Sequence, residues 1–265
     1  MYQFNYQKPA SLADAAAALA KNPDAKALGG GQSLIASMKL RLSQPSDLVD
    51  LSGAAELRGI KVDGSSVTLG AMTRHAEVAA SAEVRKAIPA LAALAGGIGD
   101  RMVRNMGTIG GSLANNDPAA DYPAAVLGLG ATVNTNKRKI PADEYFKGMY
   151  ETALQPGELI TSVSFPIPKK AAYMKFKNPA SRYALVGVLV ADTAGGPRVA
   201  VTGAGPSVFR VPEMEKALAA KFAPESVAGV KVKADGLNSD LHASAEYRAH
   251  LVTVMAKRAV AAALT

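Results

Sequence analysis

Leu28-Gly29-Gly30-Gly31-Gln32-Ser33-Leu34 is the first of two stretches on which the reading of this chain turns. The second is Arg101-Met102-Val103-Arg104-Asn105-Met106-Gly107-Thr108-Ile109-Gly110-Gly111-Ser112-Leu113-Ala114-Asn115-Asn116-Asp117-Pro118-Ala119-Ala120-Asp121. In the first, three adjacent glycines follow a short run that reads as a strand. They let the backbone turn sharply and come close to a ligand. Successive N–H groups, with the Gln32 amide and the Ser33 hydroxyl, suit an anionic pyrophosphate. The spacing is not G-x-G-x-x-G, and no Gly-Lys-Ser/Thr follows, so neither the Rossmann fingerprint nor the P-loop is present. A plain surface turn would carry the same glycines. The second stretch is dense in glycine and small polar residues, and is expected to be neither an ordinary helix nor a core strand. Its length points to a ligand loop; the competing reading is a structured Ω-loop with Asx turns. Thr108, Ser112 and Asn115 offer hydroxyl and amide groups to phosphate or ribose. Asp121 is an acceptor suited to ribose or adenine donors.

Outward from these stretches, helix and strand patterns are interleaved. Residues 11–21 read as a helix with Ser11 as N-cap, Asp14 three positions on, and Leu12, Ala15, Ala16 and Leu19 as an apolar stripe. Short strands are expected near Lys26–Leu28 and Asp47–Leu51. Ile60–Val62 and Val67–Ala71 flank Asp63-Gly64, a hairpin signal. Thr73 is placed as the N-cap of a helix through Ala80. A second helical run spans Ala82–Ala95, with Pro89 inside it or between two pieces. Tyr122–Leu129 reads as a short helix, and Ala131–Asn134 and Ile160–Phe165 as strands. Ala172–Phe176, Ala184–Ala191 and Arg198–Gly203 are expected to form an antiparallel sheet, followed by helices near Glu213–Lys221 and Ser244–Ala263. The fold expected is α+β in three units, 1–55, 56–168 and 169–265, with one ligand loop in each of the first two. Two such loops imply one long ligand. A dinucleotide, with a central pyrophosphate and a ring system at each end, has that shape.

Composition narrows the chemistry. The chain has 265 residues, with 30 Lys+Arg against 22 Asp+Glu, 49% apolar and 20% charged residues, an ordinary globular balance. Basic residues are dispersed and aromatic content is 5% without tryptophan. That is not the concentrated basic and aromatic face of a nucleic-acid binder. The +8 balance reads as solvated surface or as a face for an acidic partner chain. The lack of cysteine excludes a disulfide, a thiolate nucleophile, a Cys-ligated zinc and an iron–sulfur cluster in this chain. The three histidines (His75, His242 and His250) are far apart and offer no His-rich metal site. Redox chemistry would have to come from an organic cofactor or from another subunit. The start has no apolar signal region. No apolar run approaches the roughly 18 residues of a membrane helix. A cytoplasmic location without a membrane span is expected.

The two loops also carry a resemblance. Gly29-Gly30-Gly31-Gln32-Ser33-Leu34 followed by Met38-Lys39-Leu40-Arg41-Leu42 resembles the first flavin loop of the FAD-binding subunits of molybdenum hydroxylases. This is the carbon monoxide dehydrogenase medium-subunit and xanthine dehydrogenase FAD-domain family. Arg104 through Asn115 resembles its second loop. Gly157-Glu158-Leu159-Ile160 leading to Phe165-Pro166, and Phe176-Lys177 leading to Ser181-Arg182-Tyr183-Ala184-Leu185-Val186, are similar to its later segments. The resemblance runs in order along nearly the whole chain.

It implies a two-part FAD-binding domain of the vanillyl-alcohol-oxidase/PCMH type, followed by a C-terminal domain with a small antiparallel sheet and helices. Gly29, Gly30, Gly31, Gln32 and Ser33, with Thr108, Ile109, Gly110, Gly111 and Ser112, would hold the pyrophosphate. Asp121 would bind the ribose or adenosine side, and Ile160 and Lys177 would lie along the isoalloxazine or its edge. Leu34, Ile98 and Asn115 complete the implied cofactor set. Gln32 stands where the family's first loop often has histidine; an amide still donates and accepts.

In the family, a subunit with two [2Fe–2S] clusters passes electrons from a large molybdenum-cofactor subunit to the flavin, and the resemblance implies a dimer of heterotrimers. No catalytic acid, base or nucleophile and no metal ligand is assigned. No histidine or cysteine lies in either loop, so the FAD is expected to be non-covalent. His75 is read as a surface or capping residue, and Tyr183 as either a flavin-face or a sheet-packing residue. Two alternatives stay open: a free-standing FAD oxidoreductase of the same fold, and a non-catalytic binding module with a basic docking face.

Overall fold

The computed structural model describes residues 1–265. The first sheet has three short parallel strands, β1 (Asn5–Gln7), β2 (Lys26–Leu28) and β3 (Asp47–Asp50), in the order β1-β3-β2. Leu48 and Val49 of the central strand are buried. Helix α1 (Leu12–Lys21) starts where the Ser11 hydroxyl accepts from Asp14 N–H, as the capping pattern predicts. Helix α2 (Leu34–Lys39) follows directly on the glycine loop.

The second sheet is antiparallel and five-stranded. It contains β4 (Ile60–Val62), β5 (Ser66–Gly70), β6 (Thr132–Thr135), β7 (Lys139–Pro141) and the later strand β10 (Ile160–Pro166), in the order β4-β5-β10-β6-β7. Between β5 and β6 come six helices: α3 (His75–Ala80), α4 (Ala82–Ala87), α5 (Pro89–Gly96), α6 (Arg101–Met106), α7 (Ile109–Asn115) and α8 (Tyr122–Gly128). After β7 come α9 (Ala142–Tyr145) and the small hairpin β8 (Phe146–Gly148) and β9 (Glu151–Thr152).

Three sequence readings are corrected or resolved here. The glycine- and asparagine-rich stretch is helical over most of its length. Asp100 caps α6 by accepting from Val103 N–H, and Thr108 caps α7 by accepting from Gly111 N–H. The N-cap of α3 is Arg74, whose N–H donates to Glu77, while the Thr73 hydroxyl donates to Gly59 O. Pro89 starts a separate helix at its first turn, where its missing N–H costs nothing.

The third sheet is an antiparallel meander of β11 (Lys170–Lys177), β12 (Ala184–Thr193), β13 (Gly196–Thr202) and β14 (Phe209–Arg210). The helices α10 (Pro212–Ala220), α11 (Pro224–Ala228) and α12 (Ala245–Leu264) complete the chain. Alternation along β12 explains how this sheet is used. Val186, Val188 and Val190 pack with Leu251, Val252 and Met255 of α12. Leu189 and Ala191 face the opposite way, into one core with Tyr122, Ala125 and Val126 of α8 and with Val163 and Phe165 of β10. The sheet is therefore buried on both faces, which is why β12 reads as a near-continuous apolar run. No helix is long and apolar enough to cross a membrane.

Candidate functional site

The site forms where two backbones cross. A Cβ on Gly30 would overlap the Met106 carbonyl and lie 2.7 Å from Gly107 Cα. A Cβ on Gly107 would in turn lie 2.6 Å from His75 Nε2. The glycine loop, the α6–α7 junction and the His75 ring thus stack in that order. Beneath them, Gly110 N–H donates to Ala71 O and Ile109 N–H to Thr73 O. A Cβ on Gly110 would meet Ala71 O at 2.7 Å, so only glycine lets α7 dock this closely. A side chain at Gly30 would strike protein backbone rather than ligand space.

A cavity of about 490 Å³ opens over this crossing. Gly29, Gly30, Gly31, Gln32, Ser33 and Leu34 line it from the first loop, and Thr108, Gly111, Ser112 and Asn115 from α7 and its cap. Ile98 and Asp121 complete the expected residues along its wall. Ile109 and Gly110 lie behind that wall and are buried. Ile160 is buried in β10, and Lys177 is exposed at the end of β11; neither lines the cavity.

The amide donors differ between the loops. No backbone N–H from Gly29 to Ser33 donates to another group of the chain. In the second loop the amides of Ile109, Gly110 and Gly111 are all engaged. The first loop is therefore the open row of donors suited to an anion. The second offers hydroxyl and side-chain amide groups from Thr108, Ser112 and Asn115.

Other side chains complete the walls or brace them, and of these Tyr173 and Lys175 carry no sequence signal as partners of Asp121. Arg104 Nη1 donates to Ile98 O and Gly99 O at 2.9 and 3.1 Å, fixing that turn. His75 is 5% exposed and lines the cavity, so it is not the surface residue expected. Burial, with the Arg104 charge adding, pushes its pKa down to about 4, so its ring is neutral at pH 7. Its Nδ1 and the nearby buried Tyr122 hydroxyl have no hydrogen-bond partner in the chain. Tyr183 is 47% exposed at the cavity rim rather than packed in the sheet, beside Arg182. Asp121 is buried; its carboxylate accepts from the Tyr173 hydroxyl and from Lys175 Nζ. Burial raises its pKa, and Lys175 and Tyr173 push it back. Nothing near Asp121 in sequence announces either partner.

Residues 2–168 match the family described as the FAD binding domain in molybdopterin dehydrogenase. The chain belongs to that family. FAD is accordingly its cofactor, and the chain is an oxidoreductase subunit of the molybdenum hydroxylase family. This family member is 37% identical over 269 residues to the nicotine 6-hydroxylase medium subunit of Paenarthrobacter nicotinovorans, covering 96% of this chain and 95% of that one. It is 36% identical to the carbon monoxide dehydrogenase medium chain of Afipia carboxidovorans, over 97% of this chain and 95% of that one. A solved carbon monoxide dehydrogenase from Hydrogenophaga pseudoflava superposes with a TM-score of 0.91 at 36% identity, covering 99% of this chain and 98% of that one. The open amides of Gly29–Ser33, lining a cavity over a backbone crossing that only glycine permits, fit the pyrophosphate of such a dinucleotide.

Proposed function

We propose that this chain is the FAD-bearing electron-transfer subunit of a molybdenum-containing hydroxylase or dehydrogenase complex. When bound, FAD supplies exchange of electrons singly and in pairs. The observation that carries the reading is the row of unengaged N–H groups from Gly29 to Ser33 along the cavity. These amides take the pyrophosphate, and the Thr108 and Ser112 hydroxyls and the Asn115 amide close on it from α7. Gly111 and Ile98 line its path, and Ile109 and Gly110 brace that wall from behind. Asp121 sits at the ribose or adenosine side. Leu34, Ile160 and Lys177 belong to the surroundings of the ring, the last two from outside the cavity wall.

The FAD is held without a covalent bond. The chain has no cysteine, and the histidine at the cavity is buried beneath Gly107. The first two units, 1–55 and 56–168, form a two-part FAD domain of the vanillyl-alcohol-oxidase/PCMH type, and 169–265 forms the C-terminal domain. Support comes from the sheets, whose strands fall within residues 5–50, 60–166 and 170–210.

A chain without cysteine carries no cluster ligands of its own, so iron–sulfur centres would lie in a small two-cluster [2Fe–2S] partner. Substrate would be bound in a large molybdenum-cofactor partner, with the whole assembled in the cytoplasm as a dimer of heterotrimers. The two relatives' names, medium subunit and medium chain, support a setting with further chains. The test is spectroscopic and kinetic. The purified chain should show a flavin spectrum yet oxidise no substrate until both partners are added. Substrate oxidation by this chain alone would overturn the proposal.

A further inference from the structure

The family match ends at residue 168, yet the cavity wall at residues 117–121 is held from beyond it. Gly203 N–H donates to Pro118 O at 2.8 Å, and Ala184 N–H to Ala119 O at 3.4 Å. The Thr202 hydroxyl lies 2.6 Å from Ala120 O and 3.1 Å from Pro118 O. All three donors come from β12 and from the end of β13 with the residue after it. Strand β11 adds the side chains that reach deepest. Tyr173 and Lys175 point from the same face of the strand, and both bind Asp121. Gly187 on the neighbouring strand leaves the space that the Tyr173 hydroxyl occupies; a Cβ there would overlap it.

Lys175 is the pivotal contact. Its side chain is 4% exposed, and its ammonium group donates at 2.9 Å both to Asp121 Oδ2 and to Gly97 O. Gly97 precedes Ile98 and Gly99, and Asp121 follows Ala120; Ile98, Gly99, Ala120 and Asp121 lie on the cavity wall. One charged group therefore fixes two separate parts of that wall and balances the one buried carboxylate in it. An ionised carboxylate has about four lone-pair sites, so Asp121 keeps acceptor capacity for a ligand donor after binding Tyr173 and Lys175.

We propose that Lys175 is a positioning residue for the FAD nucleotide, through which the C-terminal sheet braces a cofactor site whose two loops lie before residue 169. This rests on the FAD reading above.

The test is a double-mutant cycle on the full chain, read as the dissociation constant for FAD by fluorescence titration, with thermal unfolding of the FAD-free proteins alongside. Lys175→Met and Asp121→Asn each leave one buried charge without its partner, and each should weaken FAD binding at least tenfold. The double variant, Asp121→Asn with Lys175→Met, leaves no unpaired charge and keeps an acceptor for Tyr173. It should bind FAD at least tenfold more tightly than either single variant. A residue that merely filled space would give additive losses. Wild-type affinity in Lys175→Met, or a double variant no better than the weaker single, overturns the proposal. If the single variants do not fold, the double variant decides. Affinity within tenfold of wild type supports the proposal, and a hundredfold loss in a folded protein overturns it. Failure of the wild-type chain to bind FAD would instead sink the functional reading itself.

Discussion

Gly30 shows how little room the crossing leaves. A Cβ there would run into the Met106 carbonyl and approach Gly107 Cα, both of them backbone that cannot swing aside. Gly30→Val should therefore push the two loops apart, destabilise the fold by about 1–3 kcal/mol, and lower FAD affinity at least tenfold. Full flavin occupancy in that variant would contradict the crossing. His75, one layer below, sets a pH limit. Its folded pKa of about 4 lies below the ordinary value of 6.5. The unfolded chain therefore takes up the proton first, and the stability present above pH 6.5 is lost as pH falls towards 4. The loss at the acid end is roughly 3 kcal/mol. His75→Gln should flatten the decline in unfolding midpoint between pH 6.5 and 4.5, above the range, from their ordinary values of 4.5 and 3.8 down to about 2, over which Glu158 and Asp63 lose their contribution. An unchanged slope would remove His75 as its source.

At the scale of elements, Asn116 joins α7 to the β8–β9 hairpin. It ends the helix in the left-handed region at φ 43°. Its side-chain amide donates to Gly148 O and Glu151 O, both at 2.8 Å. Asn116→Ala should cost about 1–3 kcal/mol from the two abandoned carbonyls and about 1–2 kcal/mol more from left-handed backbone without glycine's freedom. Asn116→Gly should show only the first cost. Equal stability of the two variants would mean the backbone contributes nothing there.

The same elements show what a sequence can disclose. Helix α1 was legible because a capping serine and an apolar stripe act within ten residues. Strands β11, β12 and β13 of the third sheet were legible because their apolar runs end at turn residues, whereas β14 is only two residues long and leaves no pattern. Helices α6 and α7 were not, because each is under two turns long and α7 carries glycines that serve docking rather than helix formation. The first loop was legible only together with the second, because three adjacent glycines alone would equally make a surface turn. Lys175 stayed hidden because its partner Asp121 lies 54 residues away, and no local pattern marks a buried ion pair.

For the whole molecule, the second and third sheets share one core, which runs from Val67 through Tyr122 and Phe165 to Leu189, Ala191 and Ala200. Arg198 of β13 ties the same junction together, donating to Leu127 O and to both oxygens of Asp143. Residues on the two sides of residue 168 should therefore unfold in one transition. FAD at a hundred times its dissociation constant should raise the stability of that single transition by about 2.7 kcal/mol. Thr202→Val would strip the Ala120 carbonyl of its donor, lowering stability by about 1–3 kcal/mol and FAD affinity with it. Calorimetry showing two transitions, only the first shifted by FAD, would separate the sheets.

The bonds from β12, β13 and Gly203 onto residues 118–120 also set a timetable. A chain emerges from the ribosome N-terminus first, and its early segments begin folding before the rest exists. The glycine loop and α7 are complete once residue 115 has emerged, but the donors at Ala184, Thr202 and Gly203 are still unmade. The wall at residues 118–120 gains its last backbone donor, Gly203, only when about three-quarters of the chain has been made. A chain cut before Ala184 would carry both loops yet lack every one of these donors, and it should bind FAD more weakly than the full chain in a fluorescence titration.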